Sequence, residues 1–354
     1  MRGELLEVAG VRPLTDDALE ISFALPPRLH EAWRYRAGQH LTLVGADGAR
    51  RSFSLCSPPS AREWRIGVRR LPGGAFSDDV APRLAPGDVL EVLPPSGRFS
   101  VEADPTRRAS YVAVAGGSGI TPLLAIVGTL LEEEPGSCVT LVRADRSSGS
   151  VMFLDEVLDL KDRFPTRLQL VHVLSREQQE SPLLTGRLDA PRFEALLAAL
   201  VDRERVDEWF LCGPQGMVES LRAHLVAGGA TRVHTELFHA EPVAPAPPAG
   251  PDAARRTEDA GEGARVTVRL DGRTTDLVVA RGGPPVLEAV AGVRQDVPWA
   301  CRGGVCGTCR ARVVEGEAVM DLNYALEPDE VARGYVLTCQ AHPVGPRLVL
   351  DYDA

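Results

Sequence analysis

Lysine is almost missing from this sequence. Lys161 is the single lysine among 39 Lys and Arg residues, and arginine carries nearly all the positive charge. A net basic surface is also missing. The 49 Asp and Glu residues leave a formal charge of −10, which excludes the usual electrostatic footprint of a nucleic-acid binder. No apolar run reaches roughly 18 residues, so no membrane span is expected. The start, MRGELLEVAGVRPL, has no charged-then-apolar leader pattern. These absences point to a soluble, cytoplasmic protein. The seven histidines are dispersed, and neither H-E-x-x-H nor G-x-S-x-G occurs, so zinc-peptidase and serine-hydrolase chemistry have no anchor. No repeat of 20–50 residues is visible. The length, 354 residues, fits two or three domains.

What is there is concentrated in the cysteines. Cys56, Cys138 and Cys212 are scattered, whereas Cys301, Cys306, Cys309 and Cys339 fall in the last 54 residues. An odd total in a reducing compartment argues against a disulfide framework. The run PWACRGGVCGTCRARV spaces three cysteines as C-x4-C-x2-C, and Cys339 follows after a long gap. Three thiolates must wrap a small cluster in one tight loop. Gly303, Gly304 and Gly307 let the backbone curl so that N–H groups face the sulfurs. The fourth ligand then closes the cage from a distant segment. A structural zinc site would usually show two close cysteine pairs, and here one cysteine stands alone. Residues 264–354 resemble plant-type ferredoxins, with these four cysteines as ligands of a [2Fe–2S] cluster.

The organisation along the chain is three-part. Residues 1–104 show short apolar runs separated by Gly, Pro and Asp turns, the texture of an antiparallel β-barrel. From about Ala109, strands and helices alternate, beginning with SYVAVAGGSGITPLLAIVGTLLEEE: a buried strand, a glycine turn and an amphipathic helix. That alternation means βαβ units around a parallel sheet over residues 105–240. Residues 241–263 are Pro, Ala, Gly and charge, a linker that as a coil spans about 26 Å, at roughly 5–6 Å × √n. It is either a plain spacer or a tether that lets the last domain swing. Residues 264–354 begin with a hairpin turning at Asp271-Gly272, then a short helix, PPVLEAVAG, then the cysteine region, as in an α+β β-grasp ferredoxin domain.

Within the β region, Arg51-Ser52-Phe53-Ser54 resembles the RxYS motif of the ferredoxin–NADP⁺ reductase family. That resemblance implies that Arg51 pairs with the pyrophosphate of FAD, Phe53 packs on the isoalloxazine and Ser54 lies near flavin N5. Gly74 and Ser77, in GGAFS, resemble the second pyrophosphate-binding turn, and LPPSGRF resembles the closing barrel segment. In the α/β region, GGSGITP follows a strand and opens a helix. It departs from G-x-G-x-x-G but matches the family's GxGxxP turn, assigning Gly117, Gly119, Thr121 and Pro122 to the nucleotide phosphates. Thr121 is expected as the helix N-cap and Pro122 as its first residue. FLCGPQGM resembles the CGP motif, which places Cys212, Gly213, Pro214 and Met217 near the nicotinamide of NADPH or NADH. Alone, Cys212 reads as a buried small hydrophobe. Thr235-Glu236-Leu237-Phe238 resembles the segment that ends such a domain, with Phe238 against the flavin. Arg146 is either a cation for a 2′-phosphate or a solvated surface arginine. Cys56 and Cys138 read as structural thiols.

The order of parts implies one electron path. A nicotinamide gives two electrons as hydride, a cluster takes one, and a flavin must stand between them. The run NYALEPDEVARGYVLTCQ, with RSFSLCSPP, GSGITPLLAI and TGRL, closely resembles the reductase components of the ring-1,2-phenylacetyl-CoA epoxidase family of phenylacetate catabolism. By that resemblance the acceptor is a separate di-iron oxygenase component, with no nucleic-acid or membrane partner. The alternatives are a reductase of a Rieske or steroid hydroxylase, a reductase of a hybrid-cluster protein, or a redox sensor. Asp321, Glu327, Asp329 and Glu330 read either as an acidic docking face or as an ordinary helix start.

Overall fold

The structure is a computed structural model that describes residues 3–45, 48–61, 63–238, 263–280 and 282–354. The expected linker at 241–263 lies, Gly263 aside, outside the described residues. The chain divides into two compact units after Phe238.

The first unit opens with six antiparallel strands. They are β1 (Glu4–Thr15), β2 (Ala18–Ala24), β3 (His40–Val44), β4 (Arg50–Ser54), β5 (Glu63–Arg69) and β6 (Val89–Ser96), with one short helix, α1 (Leu29–Ala32). Their order is β4-β3-β6-β1-β2-β5. The two edges meet where Leu55 bridges Ile66 and the Cys56 N–H donates to Arg65 O at 2.9 Å, which closes the sheet into a barrel. Inward positions carry Leu6, Val8, Ile21, Phe23, Leu41, Ile66, Val68 and Val92, each fully shielded from water. Each such side chain contributes roughly 1.5–3 kcal/mol by burial.

A parallel sheet follows: β7 (Ser110–Gly116), β8 (Cys138–Asp145), β9 (Leu168–Leu174), β10 (Glu208–Cys212) and β11 (Val233–Glu236). Helices α2 (Ile120–Glu133), α3 (Leu154–Arg163), α4 (Ala190–Leu200) and α5 (Gln215–Ala227) connect or flank the strands. The order β11-β10-β7-β8-β9 reverses direction between β7 and β10. Strands covered on both faces read as continuous apolar runs, as SYVAVAG does. Helix α2 differs from the amphipathic expectation. Every residue from Ile120 to Leu131 is buried. The reason is that one cluster joins α2 and the sheet with Ala37, Cys56, Phe99 and Val101 of the barrel side, so the helix is enclosed all round. Phe99, in the barrel-closing segment, meets Phe210 of β10 edge-on at 5.9 Å. Polar ties run alongside: Arg69 Nη2 donates to Ser150 O at 2.8 Å, and Arg12 pairs with Glu156.

The helix start also differs from expectation. Gly119, not Thr121, occupies the cap of α2, and Pro122 is its third residue. The Thr121 hydroxyl instead donates back to Ser118 O at 3.0 Å, which folds the turn under the helix.

The second unit holds β12 (Ala264–Leu270), β13 (Arg273–Val279), α6 (Val286–Val293), β14 (Arg310–Glu315), β15 (Ala318–Met320), α7 (Pro328–Ala332), β16 (Tyr335–Leu337), β17 (Ala341–Pro343) and β18 (Arg347–Asp351). Its main sheet runs β13-β12-β18-β14-β16, with β12 and β18 parallel. The expected hairpin turns at Asp271 and Gly272, both left-handed. Val266, Val268, Leu287, Val290, Leu348 and Leu350 form the core under the cysteine loop. The acidic stretch is a helix start. Glu327 and Glu330 form a reciprocal cap on α7, buried Glu330 accepts from Arg310 at 2.9 Å, and Asp321 pairs with His342 at 2.8 Å.

Candidate functional site

The parallel sheet places its own binding crevice. In such sheets ligands bind beyond the carboxyl ends of the strands where the order reverses, here between β7 and β10. The turn after β7 is Gly116–Gly119 and the turn after β10 is Cys212–Gly213. They lie against each other closely enough that a Cβ on Gly119 would come within 2.1 Å of Cys212 O and 2.8 Å of Gly213 N. Met217 Cε fills the space above both Gly116 and Gly213. Pro214 caps α5 from this same turn. Gly117 is left-handed at φ 54°. No side chain caps α2; the glycine turn Gly117–Gly119 runs straight into it, and the Ile120 N–H is taken by carbonyls of that turn.

The barrel brings its motif to the same place. Ser54 ends β4, and its hydroxyl donates to Glu236 at 3.4 Å; Glu236 ends β11. Cys212, beside it at the end of β10, is fully buried. Removal from water pushes the Glu236 carboxyl up to about 8, only partly opposed by the Ser54 hydrogen bond. Burial, and then the Glu236 carboxyl, push the Cys212 thiol up. The result is a neutral junction of a buried hydroxyl, a buried thiol and a half-buried, protonated carboxyl at pH 7. Glu236 was not among the residues expected from sequence. Its only signal was a lone acid inside the TELF segment. The sheet order, which seats β11 next to β10, is what gives it a role.

Other expected residues fall around this junction. Phe53 meets Phe76 at 5.2 Å, so its ring is held from the loop that carries Gly74 and Ser77. Gly74 begins the turn Ala75–Val80, and Ser77 Oγ accepts the Leu71 N–H at 3.2 Å, which ties the loop shut. Arg51 lies on β4, opposite Leu43 of β3. Phe238 packs on the sheet core just past Glu236. Arg146 follows β8 and pairs with Asp17, which also accepts from Arg69 at 3.2 Å. Cys56 is buried, with its thiol donating to Arg65 O at 3.2 Å, a structural role as expected.

In the second unit the four thiols influence one another two by two, Cys301 with Cys306 and Cys309 with Cys339. Among the described residues no three side chains of metal-ligating type gather at one ion-sized centre. Two pairs fit a two-iron cluster with two cysteines on each iron, and do not fit a single tetrahedral zinc. A loop amide points inward: the Gly303 N–H reaches Cys301 Sγ at 3.4 Å. Gly304 and Gly307 are left-handed as the tight loop requires. Gly303 is not; Arg302 takes that conformation instead, at φ 55°.

A barrel, a parallel nucleotide sheet and a four-cysteine loop in one chain define a flavin- and iron–sulfur-dependent NAD(P)H reductase. Comparison with known proteins agrees. Residues 268–344 match the 2Fe-2S iron-sulfur cluster binding domain, and residues 113–223 match the oxidoreductase NAD-binding domain. The chain is 41% identical to a component of the 1,2-phenylacetyl-CoA epoxidase of Escherichia coli strain K12, over 99% of this chain and 97% of that one. It is 33% identical to the ferredoxin reductase component of 3-ketosteroid-9-alpha-monooxygenase from Rhodococcus rhodochrous, over 99% and 97%. Among solved structures, phthalate dioxygenase reductase, described as a modular structure for electron transfer from pyridine nucleotides to [2Fe-2S], matches with TM-score 0.58, 25% identity and 99% and 98% coverage. The chain belongs to the family of ferredoxin-reductase-type components of oxygenase systems that includes this epoxidase component. Among the described residues no helix is long and apolar enough to cross a membrane.

The contact between the two glycine turns leaves no room for a methyl group. Gly119→Ala is expected to raise the KM for NADPH at least about tenfold, about 1.4 kcal/mol of binding, with flavin and iron content unchanged. Steady-state kinetics check this, and an unchanged KM would remove Gly119 from the nucleotide site.

Proposed function

We propose that this chain is the reductase of a phenylacetyl-CoA epoxidase. It draws electrons from NAD(P)H and delivers them to a separate oxygenase component. Supporting the electron path is the meeting of Ser54, Cys212 and Glu236, drawn from three distant segments to the switch point of the sheet. Supporting the partner is the 41% identity to an epoxidase component over nearly the whole chain.

The residues divide by task. Arg51, Gly74 and Ser77 hold the FAD phosphates, and Phe53 and Phe238 flank its ring. Gly117, Gly119, Thr121 and Pro122 seat the nucleotide phosphates at the uncapped start of α2. Cys212, Gly213, Pro214 and Met217 shape the nicotinamide wall. Arg146 binds a 2′-phosphate when it leaves its ion pair with Asp17. Cys301, Cys306, Cys309 and Cys339 hold the [2Fe–2S] cluster. When bound, FAD and the cluster together supply the conversion of one two-electron donor into single electrons. The chain's own contribution at the junction is to exclude water and to keep Glu236 neutral beside Ser54. We place the protein in the cytoplasm, where seven cysteines without a disulfide among them stay reduced, three as thiols and four as cluster ligands.

A second reading has its own support. The 33% identity to a steroid 9-alpha-monooxygenase reductase fits an oxygenase acting on a different substrate. Reconstitution separates the two. Mixed with the epoxidase oxygenase component, NADPH and phenylacetyl-CoA, the chain is expected to sustain substrate-dependent NADPH consumption. Silence there, with turnover on a ketosteroid oxygenase component, would establish the second reading.

The junction also predicts a pH profile. Glu236 is neutral below about pH 8 and becomes a half-buried carboxylate above it. A negative charge there opposes the arrival of hydride, so the rate of NADPH oxidation falls as pH rises through about 8. Glu236→Gln is neutral at every pH and is expected to abolish that alkaline fall. Stopped-flow rates across pH 6–10 test it, and an unchanged fall in the variant would assign the titration elsewhere.

A further inference from the structure

The segment carrying the fourth cysteine does more than supply a sulfur. Thr338 and Gln340 flank Cys339, and each reaches a different end of the loop that holds the other three. The Thr338 N–H and hydroxyl both donate to Cys309 O, at 3.1 and 2.9 Å. Tyr352 donates its phenol to the Thr338 hydroxyl at 2.8 Å, which ties this clamp to the last strand. Gln340 grips the opposite end. Its Nε2 donates to Arg302 O at 2.8 Å. A carbonyl oxygen can only accept, so this bond fixes which end of the carboxamide carries the N–H groups. The second N–H of the same nitrogen points to Cys339 Sγ at 3.8 Å.

Gln340 is set in place on every side. It is nearly buried, its backbone N–H bonds to Leu337 O at 2.8 Å, and its carbonyl accepts the Asp321 N–H at 2.9 Å. Its Cγ lies where a side chain on Gly304 would begin, 3.3 Å from that site. The residue it grips needs holding. Arg302 is left-handed at φ 55°, a conformation that disfavours a side chain with a Cβ. Its guanidinium lies over Trp299 at 4.0 Å and pairs with Glu288 at 3.4 Å, and the Gln340 bond fixes its backbone.

We propose that Gln340 is a positioning residue that sets the reduction potential of the cluster, through its hydrogen bond to the Cys339 sulfur and its hold on Arg302. This rests on the reading that the four cysteines carry a [2Fe–2S] cluster. Reduction adds one negative charge, which spreads onto the ligand sulfurs. An N–H aimed at one of them favours the reduced state more than the oxidised state. Removing that donor therefore lowers the potential. Thr338 clamps the loop without touching a sulfur, so its loss should leave the potential near its original value.

The test is a redox titration of the full chain, followed by visible absorbance and by the electron paramagnetic resonance of the reduced cluster. Gln340→Leu fills the site without a donor, and Gln340→Glu keeps the shape but presents a carboxylate. Thr338→Val is the control. Both Gln340 variants are expected to shift the midpoint to more negative potential, Glu at least as far as Leu, with Thr338→Val close to wild type. An unchanged midpoint in a cluster-loaded Gln340 variant overturns the proposal. So does an equal shift in Thr338→Val, which would make the effect one of loop stiffness. Loss of the cluster from both Gln340 variants also overturns it, leaving Gln340 a role in assembly alone. A wild-type chain with no cluster signal would instead overturn the cluster reading beneath it.

Discussion

The nucleotide end of this protein depends on one close approach, the backbone of Gly116–Gly119 against the backbone of Cys212–Gly213. No side chain fits between them. That constraint sets the width of the crevice at the switch point, where α2 begins. It also puts Cys212 at the mouth of β10, one strand from Glu236. Most of the site follows from glycine being the only residue that allows two turns to touch.

The second unit solves a different problem with the same economy of sequence. A loop of nine residues must present three sulfurs and several inward N–H groups, and it cannot do so in ordinary backbone conformations. Gly304, Gly307 and Arg302 turn left-handed to achieve it. The segment around Cys339 then locks the loop from outside, through Thr338 at one end and Gln340 at the other. The fourth cysteine is distant in sequence because it comes from the connection between β16 and β17, strands that pair in different sheets.

Much of this was legible in the residues. The C-x4-C-x2-C spacing, the GGSGITP turn and the Asp271-Gly272 hairpin are local signals, and each forms where it was expected. What was not legible depends on neighbours that the sequence does not place. Glu236 acquires meaning only because β11 pairs with β10. Helix α2 is apolar all round because the barrel covers its second face, and no local periodicity announces that. Its cap is Gly119 rather than Thr121 because the turn coils under the helix two residues earlier. That a left-handed residue of the loop is Arg302 rather than Gly303 has no local signal; Gln340 and Trp299 hold it there. Within the acidic run at Asp321–Glu330, Glu330 is buried under Arg310 while Asp321 and Asp329 stay exposed, a division that the sequence does not announce.

One chain carries electrons from a nicotinamide to an iron–sulfur cluster through a flavin. Anaerobic titration of the purified protein with NADPH tests it most directly, with the flavin and cluster absorbance bands followed together. The account predicts that both bands bleach as NADPH is added, flavin and then cluster. A flavin that bleaches while the cluster stays oxidised would contradict it, and so would a cluster that bleaches in a preparation stripped of flavin.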